Sequence, residues 1–124
     1  MSDVKKRILL ADDETEFRMA VKLRLEVNGY EVIEAEDGAI ALDKAKTINP
    51  DLIILDVMMP KMAGYQVARL LKFDEHYKKI PIIMLTARSQ QSDKDTGMNV
   101  GANVYMTKPF KSEELMANIK QLIG

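Results

Sequence analysis

Cysteine and tryptophan are absent from this sequence, and 124 residues include only one histidine, four prolines and six glycines. Without cysteine there is no disulfide, no thiolate metal site and no thiol nucleophile. The single histidine, His76, lies in the polar stretch from Asp74 to Lys79 and reads as plain surface. Charge of one sign is lacking too: 18 Lys and Arg against 19 Asp and Glu give a formal charge of −1. No global positive field therefore exists to hold nucleic acid or anionic lipid, and any charge-driven function has to be local. Long apolar runs are missing, none approaching the ~18 residues of a membrane span. The start offers Lys5-Lys6-Arg7 and only four apolar residues before Asp12, which is no signal peptide. The cytoplasm is the expected location. No linker, repeat or low-complexity segment divides the chain, so residues 1–124 are read as a single domain, large enough to bury roughly two-thirds of its unfolded surface.

What is present is a rhythm. Short apolar runs recur at Ile8-Leu9-Leu10-Ala11, around Val32-Ile33, at Leu52-Ile53-Ile54-Leu55, at Ile82-Ile83-Met84-Leu85 and at Val104-Tyr105-Met106. Between them lie stretches with helical spacing. Phe17, Val21 and Leu25 share one face before the Asn28-Gly29 stop, and Ala41, Leu42, Ala45 and Ile48 line a second helix that ends before Asn49-Pro50. Gly64 opens a third helix with Val67, Leu70 and Leu71, and Leu115, Ile119 and Leu122 face inward from the last, with Ser112 as its expected N-cap. Alternating β and α elements predict a parallel sheet covered on both faces. Runs one, three and four are continuously apolar and read as central strands. Glu31 to Glu34 alternates and Val104 to Met106 is short, so strands two and five read as edges. The predicted fold is a flavodoxin-like (βα)5 doubly wound α/β domain with strand order 2-1-3-4-5.

In such sheets ligands bind beyond the carboxyl ends of the strands. Strand one ends in Asp12-Asp13 and strand three in Asp56; strand four ends in Thr86, and Lys108-Pro109 follows strand five. Taken singly, Asp13 also fits a cap of the first helix, Thr86 a strand-end cap and Lys108 a solvated loop lysine. Their arrival on one edge of the sheet is what points to a site. Unit charges ~4 Å apart interact by ~4 kcal/mol at an effective dielectric of 20, so clustered carboxylates call for a cation. The charges of Asp12, Asp13, Asp56 and Lys108 sum to zero once a divalent ion is added. Oxygen donors without sulfur or imidazole favour Mg²⁺, with Mn²⁺ also admitted, and such an ion commonly binds a phosphoryl oxygen.

From Ile8 through Asp12-Asp13-Glu14, Asp51 to Pro60, Leu85-Thr86-Ala87 and Gly101-Ala102 to Lys108-Pro109-Phe110, the sequence resembles the CheY-like receiver domains of two-component response regulators. The resemblance covers essentially the whole chain. It implies that Asp56 accepts a phosphoryl group from the phosphohistidine of a sensor histidine kinase. It further implies that Asp13 and Asp56 hold Mg²⁺ directly, Asp12 mainly through water, and Met58 through its backbone carbonyl. By the same resemblance Lys108 pairs with the phosphoryl oxygens, Thr86 donates its hydroxyl to one of them, Tyr105 is the aromatic that moves with the switch, and Lys108-Pro109 is cis. The only chemistry implied is self-directed, phosphoryl uptake and its hydrolysis, so the chain is not expected to be an enzyme acting on others. The reporting surface would be a helix over Ser89 to Asn99, the fifth strand and the last helix. Partners would be the kinase and a downstream target or phosphotransfer protein, without nucleic acid or membrane, the chain being a monomer or a weak phosphorylation-dependent dimer.

Ala63 stands before Gly64 where many relatives carry an acid, at a position without chemistry. Met58 and Arg88, two residues after Asp56 and Thr86, sit where relatives tune phosphoryl lifetime, and an apolar Met58 should orient a hydrolytic water poorly. Met58, Met59 and Met62 on one loop fit either a contact surface or gap-filling in the core. Three other readings compete. A haloacid dehalogenase-type phosphatase uses an aspartyl nucleophile in Asp-x-Asp after the first strand, where this chain has Asp12-Asp13. A flavin module needs a hydroxyl- and glycine-rich phosphate loop there. The third is a receiver cut from a larger regulator with a DNA-binding or enzymatic output. A stand-alone receiver is the expectation.

Overall fold

The computed structural model describes residues 4–87 and 101–124. Five strands, β1 (Arg7–Ala11), β2 (Glu31–Ala35), β3 (Leu52–Asp56), β4 (Ile82–Ala87) and β5 (Val104–Lys108), alternate with four helices among those residues. These are α1 (Thr15–Val27), α2 (Gly38–Ile48), α3 (Gly64–Lys72) and α4 (Ser112–Ile123). The helix expected over Ser89 to Asn99 lies outside the described residues, as does Arg88.

All four strand pairings are parallel, and the order is β2-β1-β3-β4-β5, with β2 and β5 at the edges as read. Side-chain parity sorts the central apolar runs into two cores. Leu9, Ala11, Ile53, Leu55, Ile82 and Met84 pack against Ala41 and Ala45 of α2 and Val67, Ala68 and Leu71 of α3. Their neighbours Ile8, Leu10, Leu52, Ile54, Ile83 and Leu85 face Val21 and Leu25 of α1 and Leu115, Met116 and Ile119 of α4. Each such aliphatic side chain, fully withdrawn from water, contributes about 1.5–3 kcal/mol, which is why these runs are apolar on both faces.

The strands reach further than the apolar runs. β3 includes Asp56, β4 includes Thr86 and Ala87, and β5 continues to Lys108, with Asp56 opposite Leu85, Thr86 opposite Thr107 and Ala87 opposite Lys108. Ladder hydrogen bonds involve only the backbone, so polar side chains at strand ends do not interrupt pairing. The polar residues of interest are thus held by the sheet itself rather than by loops.

Helix ends differ from expectation in two places. Ser112 is the first residue of α4 rather than its cap; Lys111 holds the cap position and makes no side-chain cap bond. An N-cap serine would cost ~1 kcal/mol on truncation, so Ser112→Ala is expected to change unfolding free energy by less than about 0.5 kcal/mol in a urea titration. Asp13 does not cap α1 either. Glu14 precedes that helix, and the Glu14 N–H donates to Asp12 Oδ1 at 2.8 Å. A cap that the apolar pattern did not reveal is Asp37, whose Oδ1 accepts from the Ile40 N–H at 2.8 Å at the start of α2. Asn49 ends α2 in the left-handed region (φ 54), a conformation asparagine tolerates, and Pro50 follows. Met59 and Met62 fill the edge of the first core, whereas Met58 is exposed. His76 is also exposed, in the polar turn after α3.

Candidate functional site

Among the described residues four polar side chains are buried, and three of them, Asp12, Asp56 and Thr86, lie at the carboxyl ends of β1, β3 and β4. A buried carboxylate without partners would cost several kcal/mol, so its surroundings have to answer for it. Asp12 is fully buried; its Oδ1 takes the Glu14 N–H and its Oδ2 takes the Lys108 ammonium at 2.8 Å. The backbone carbonyl of Asp12 accepts from the Arg18 guanidinium at 2.6 Å. Asp56, 6% exposed, receives a long hydrogen bond of 3.4 Å from the Met58 N–H and lies 3.6 Å from Lys108 Nζ. Asp13 is exposed beside them, and one carboxylate oxygen from each of Asp12, Asp13 and Asp56 falls within 4.8 Å of the others.

Lys108 is the hub. Its side chain is only 15% exposed, it bridges Asp12, Glu14 and Asp56, and its ammonium sits 4.1 Å from the centre of the Phe17 ring. The ring stacks edge-on with Phe110, centroids 5.9 Å apart, so the lysine has an aromatic floor as well as acidic walls. Lys108–Pro109 is a cis peptide.

Electrostatics follow from this packing. Burial pushes the Asp56 carboxyl up to about 6; the Lys108 charge pulls it back while Asp12 and Asp13 push it further. For Lys108, burial lowers the ammonium, but the hydrogen bond to Asp12 and the charges of Asp56 and Asp12 outweigh it, leaving the group above an ordinary lysine. The site therefore holds a cation firmly and carries a carboxylate that is reluctant to ionise without another.

Sequence reasoning missed four contributors. Glu14 reaches Lys108 at 3.3 Å, so the local charge with a divalent ion present is −1 rather than zero. Its place directly after Asp12-Asp13 was the available signal. Arg18 and Phe17 are supports contributed by α1, and no spacing rule distinguishes them from ordinary helix residues. Gly64 is the fourth: a Cβ there would come within 2.3 Å of the Asp56 carbonyl oxygen, and the Gly64 N–H donates to the Val57 carbonyl at 2.9 Å. Thr86 lies at the same sheet edge, 2% exposed. Tyr105 lies two positions before Thr107 on β5, half-buried, its hydroxyl 3.3 Å from that of Tyr65. The donor set fits a hard divalent cation, being carboxylate oxygen throughout.

Together the parallel sheet ordered β2-β1-β3-β4-β5 and an acidic pocket at its carboxyl edge define a flavodoxin-like α/β domain with a cation-ready site. The family model for the response regulator receiver domain matches residues 8–120, and the chain belongs to this family of two-component signalling domains. It is 44% identical over 120 residues to the alkaline phosphatase synthesis transcriptional regulatory protein PhoP of Bacillus subtilis, a match covering 97% of this chain and 49% of that protein. The chain spans about half the length of the curated relatives it matches. A putative response regulator from Chloroflexus aurantiacus superposes with a TM-score of 0.92 at 34% identity, covering 97% of this chain and 98% of the other. The receiver domain of the Pseudomonas aeruginosa sensor histidine kinase PA1611, solved with a magnesium ion coordinated in its active site cleft, superposes at 0.90 with 32% identity over 98% and 99% of the two chains. Among the described residues no helix is long and apolar enough to cross a membrane.

Proposed function

We propose that this domain is a phosphorylation-dependent switch in which Asp56 takes a phosphoryl group from the phosphohistidine of a sensor histidine kinase. The reading rests on one observation above all, the convergence of Asp12, Asp13 and Asp56 beside Lys108. A carboxylate oxygen of Asp56 forms a bond to phosphorus as the P–N bond breaks; the imidazole leaves with that electron pair, and the product is an acyl phosphate. Asp13 and Asp56 would hold Mg²⁺ directly, Asp12 mainly through water, and Met58 through its carbonyl oxygen, with Mn²⁺ as a substitute. When bound, the ion supplies positive charge that offsets the carboxylates and the incoming phosphoryl oxygens. Lys108 pairs with the phosphoryl oxygens, and the Thr86 hydroxyl donates to one of them. The protein's contribution is positioning and charge stabilisation, and the chemistry is self-directed.

The switch follows from the added charge. New acceptor oxygens at the sheet edge favour an inward movement of the segment bearing Thr86, and the ring of Tyr105 moves with it. Shifting a two-state domain from 1:99 to 99:1 takes ~5.5 kcal/mol of differential stabilisation, within reach of several charge-assisted hydrogen bonds acting together. The output surface would be β5 and α4 with the segment 89–99, the last outside the described residues. It would be read by a downstream target or phosphotransfer protein, the domain acting in the cytoplasm as a monomer or weak phosphorylation-dependent dimer, without contacting nucleic acid or membrane itself.

Incubating the protein with Mg²⁺ and either acetyl phosphate or a panel of autophosphorylated sensor kinases is expected to add one phosphoryl group, located on Asp56 by mass spectrometry. Protein that stays unmodified by every donor would defeat the reading. Calorimetry is expected to detect uptake of one Mg²⁺ that Asp13→Asn weakens at least about tenfold, by analogy with the loss of a metal-orienting group. Because Met58 is 59% exposed beside the site, Met58→Asn is expected to shorten the phosphoryl half-life by placing a polar side chain where water attacks; a longer half-life would contradict this role. One finding favours a second arrangement, in which the same domain controls a DNA-binding partner domain: the matched relatives are named as transcriptional regulators and are about twice as long. The mass of the endogenous polypeptide separates the two.

A further inference from the structure

Arg18 of α1 is a nearly buried cation that takes no part in the proposed phosphoryl chemistry. Its side chain is 11% exposed, and its fork bridges β2 and the end of β1. Nε donates to Glu34 Oε1 at 2.9 Å, and Nη1 donates to the backbone carbonyl of Asp12 at 2.6 Å. Lys22 donates to the other oxygen of Glu34 at 3.0 Å, and Lys44 donates to the Glu34 carbonyl at 2.6 Å. The hydrogen bonds from Arg18 and then from Lys22 hold the Glu34 carboxyl below its ordinary range, so this anchor is charged at neutral pH. Breaking either bond of the fork would strand a charge or a carbonyl away from water, which keeps the guanidinium in one place.

The carbonyl that Arg18 grips belongs to the peptide joining Asp12 to Asp13. Peptide units are planar, so fixing the oxygen fixes the direction in which the chain enters Asp13. Asp12 is tied further by its side chain to the Glu14 N–H and Lys108, but Asp13 is exposed and packing does little to place it. A carboxylate oxygen of Asp13 nonetheless falls within 4.8 Å of those of Asp12 and Asp56.

We infer that Arg18, braced by Glu34, is a positioning residue that determines which divalent cation the acidic pocket favours, by holding the Asp12–Asp13 peptide at the spacing a small ion needs. The inference rests on the metal-assisted reading above. Mg²⁺ demands near-octahedral ligands at about 2.0–2.1 Å, whereas Ca²⁺ accepts about six to eight at 2.3–2.6 Å in flexible arrangements. A fixed peptide therefore favours the smaller ion, and a loosened one gives up more Mg²⁺ affinity than Ca²⁺ affinity. Charge works the other way. Removing a nearby cation strengthens the attraction for any dication, and equally for both ions. The sign of the change and the ratio between the ions thus separate positioning from electrostatics.

The test titrates Mg²⁺ and, separately, Ca²⁺ into wild type, Arg18→Met and Arg18→Lys by calorimetry, with folding verified by circular dichroism. Arg18→Met is expected to weaken Mg²⁺ binding about tenfold, as the loss of a group that orients a metal ligand does, and Ca²⁺ binding by less than about threefold. Arg18→Lys keeps the charge without the fork and is expected to shift the ratio in the same direction; it carries the test if Arg18→Met does not fold. The Mg²⁺ concentration for half-maximal labelling by acetyl phosphate should rise with the dissociation constant, while the maximal rate changes far less. Mg²⁺ binding unchanged or tighter in the folded variants, or an equal loss for both ions, overturns the inference while leaving the phosphoacceptor reading intact. Wild-type protein that takes up no Mg²⁺ overturns both.

Discussion

Asp56→Asn is expected to abolish phosphoryl incorporation from every donor and, in metal-free buffer at pH 7.5, to make the domain more stable than wild type by about 2–3 kcal/mol. Both results come from one environment. The carboxylate is all but excluded from water at the end of β3, faces Asp12 and Asp13, and shares a single lysine with Asp12 and Glu14. Burial and the neighbouring acids raise its folded pKa to about 6 from the ordinary 3.8, against the pull of Lys108. Below the unfolded value both states are protonated and the group contributes nothing. As pH rises from there toward 6, the unfolded chain releases the proton while the folded chain keeps it, so stability falls; above 6 the full penalty is present. The rise from 3.8 to about 6 corresponds to roughly 3 kcal/mol. The neutral amide has the same shape without the charge, and Lys108 keeps Asp12 as a partner. Denaturant titrations of both proteins with chelator at pH 4 and pH 7.5 measure the difference, expected only at the higher pH. Added Mg²⁺ should close the gap by stabilising wild type preferentially, because a ligand of the folded state raises its stability by mass action. A variant less stable than wild type at pH 7.5, or one that still takes up phosphate, would contradict this account of the site.

Gly64→Ala is expected to destabilise the domain by about 3 kcal/mol or more and to slow phosphorylation by at least about tenfold, an effect of overpacking against backbone rather than of lost chemistry. An added Cβ would lie 2.3 Å from the Asp56 carbonyl oxygen and 3.1 Å from its carbonyl carbon. Real Cβ atoms do not approach backbone that closely, and the obstacle is not a flexible side-chain tip that can swing away. Either α3 lifts from the end of β3 or the Asp56 peptide rotates. The first course loosens Val67, Ala68 and Leu71 from the core, and the second turns the carboxylate away from Lys108. Thermal unfolding and the rate of acetyl phosphate labelling report the two consequences separately. A variant with wild-type stability and rate would contradict this role of the Gly64 contact.

Most of the architecture is legible in the chain because its physical causes are local. Leu52 to Leu55 has to be buried on both faces, and parallel strands joined by helices are the arrangement that buries it. The edge positions of β2 and β5 are read from the alternation of Glu31 to Glu34 and the short apolar run Val104 to Met106, although β5 itself is as long as β1 and β3. What local reasoning misjudged are boundaries and supports. Asp56 and Thr86 lie at their strand ends as read, but β5 runs on past the apolar run Val104 to Met106 to include Lys108, since the ladder ignores side-chain polarity. Ser112 has the right chemistry for a cap but lies one residue too far along, a displacement the pattern of Leu115 and Ile119 is too coarse to register. Glu14 was visible as an acid beside two acids, yet nothing in its spacing says that it reaches a lysine 94 residues away.

The sequence by itself determined which residues must leave water, hence the sheet, its order and the gathering of Asp12, Asp13, Asp56, Thr86 and Lys108 at one edge. Only the tertiary structure decided how the single lysine is divided among three carboxylates, that the Phe17 ring lies beneath it, and that Gly64 is seated on the Asp56 peptide. The reason is range. Hydrophobic burial is enforced by periodicity over a few neighbouring residues, whereas ångström-scale contacts between side chains far apart in the chain exist only once the packing of whole elements has fixed their separation.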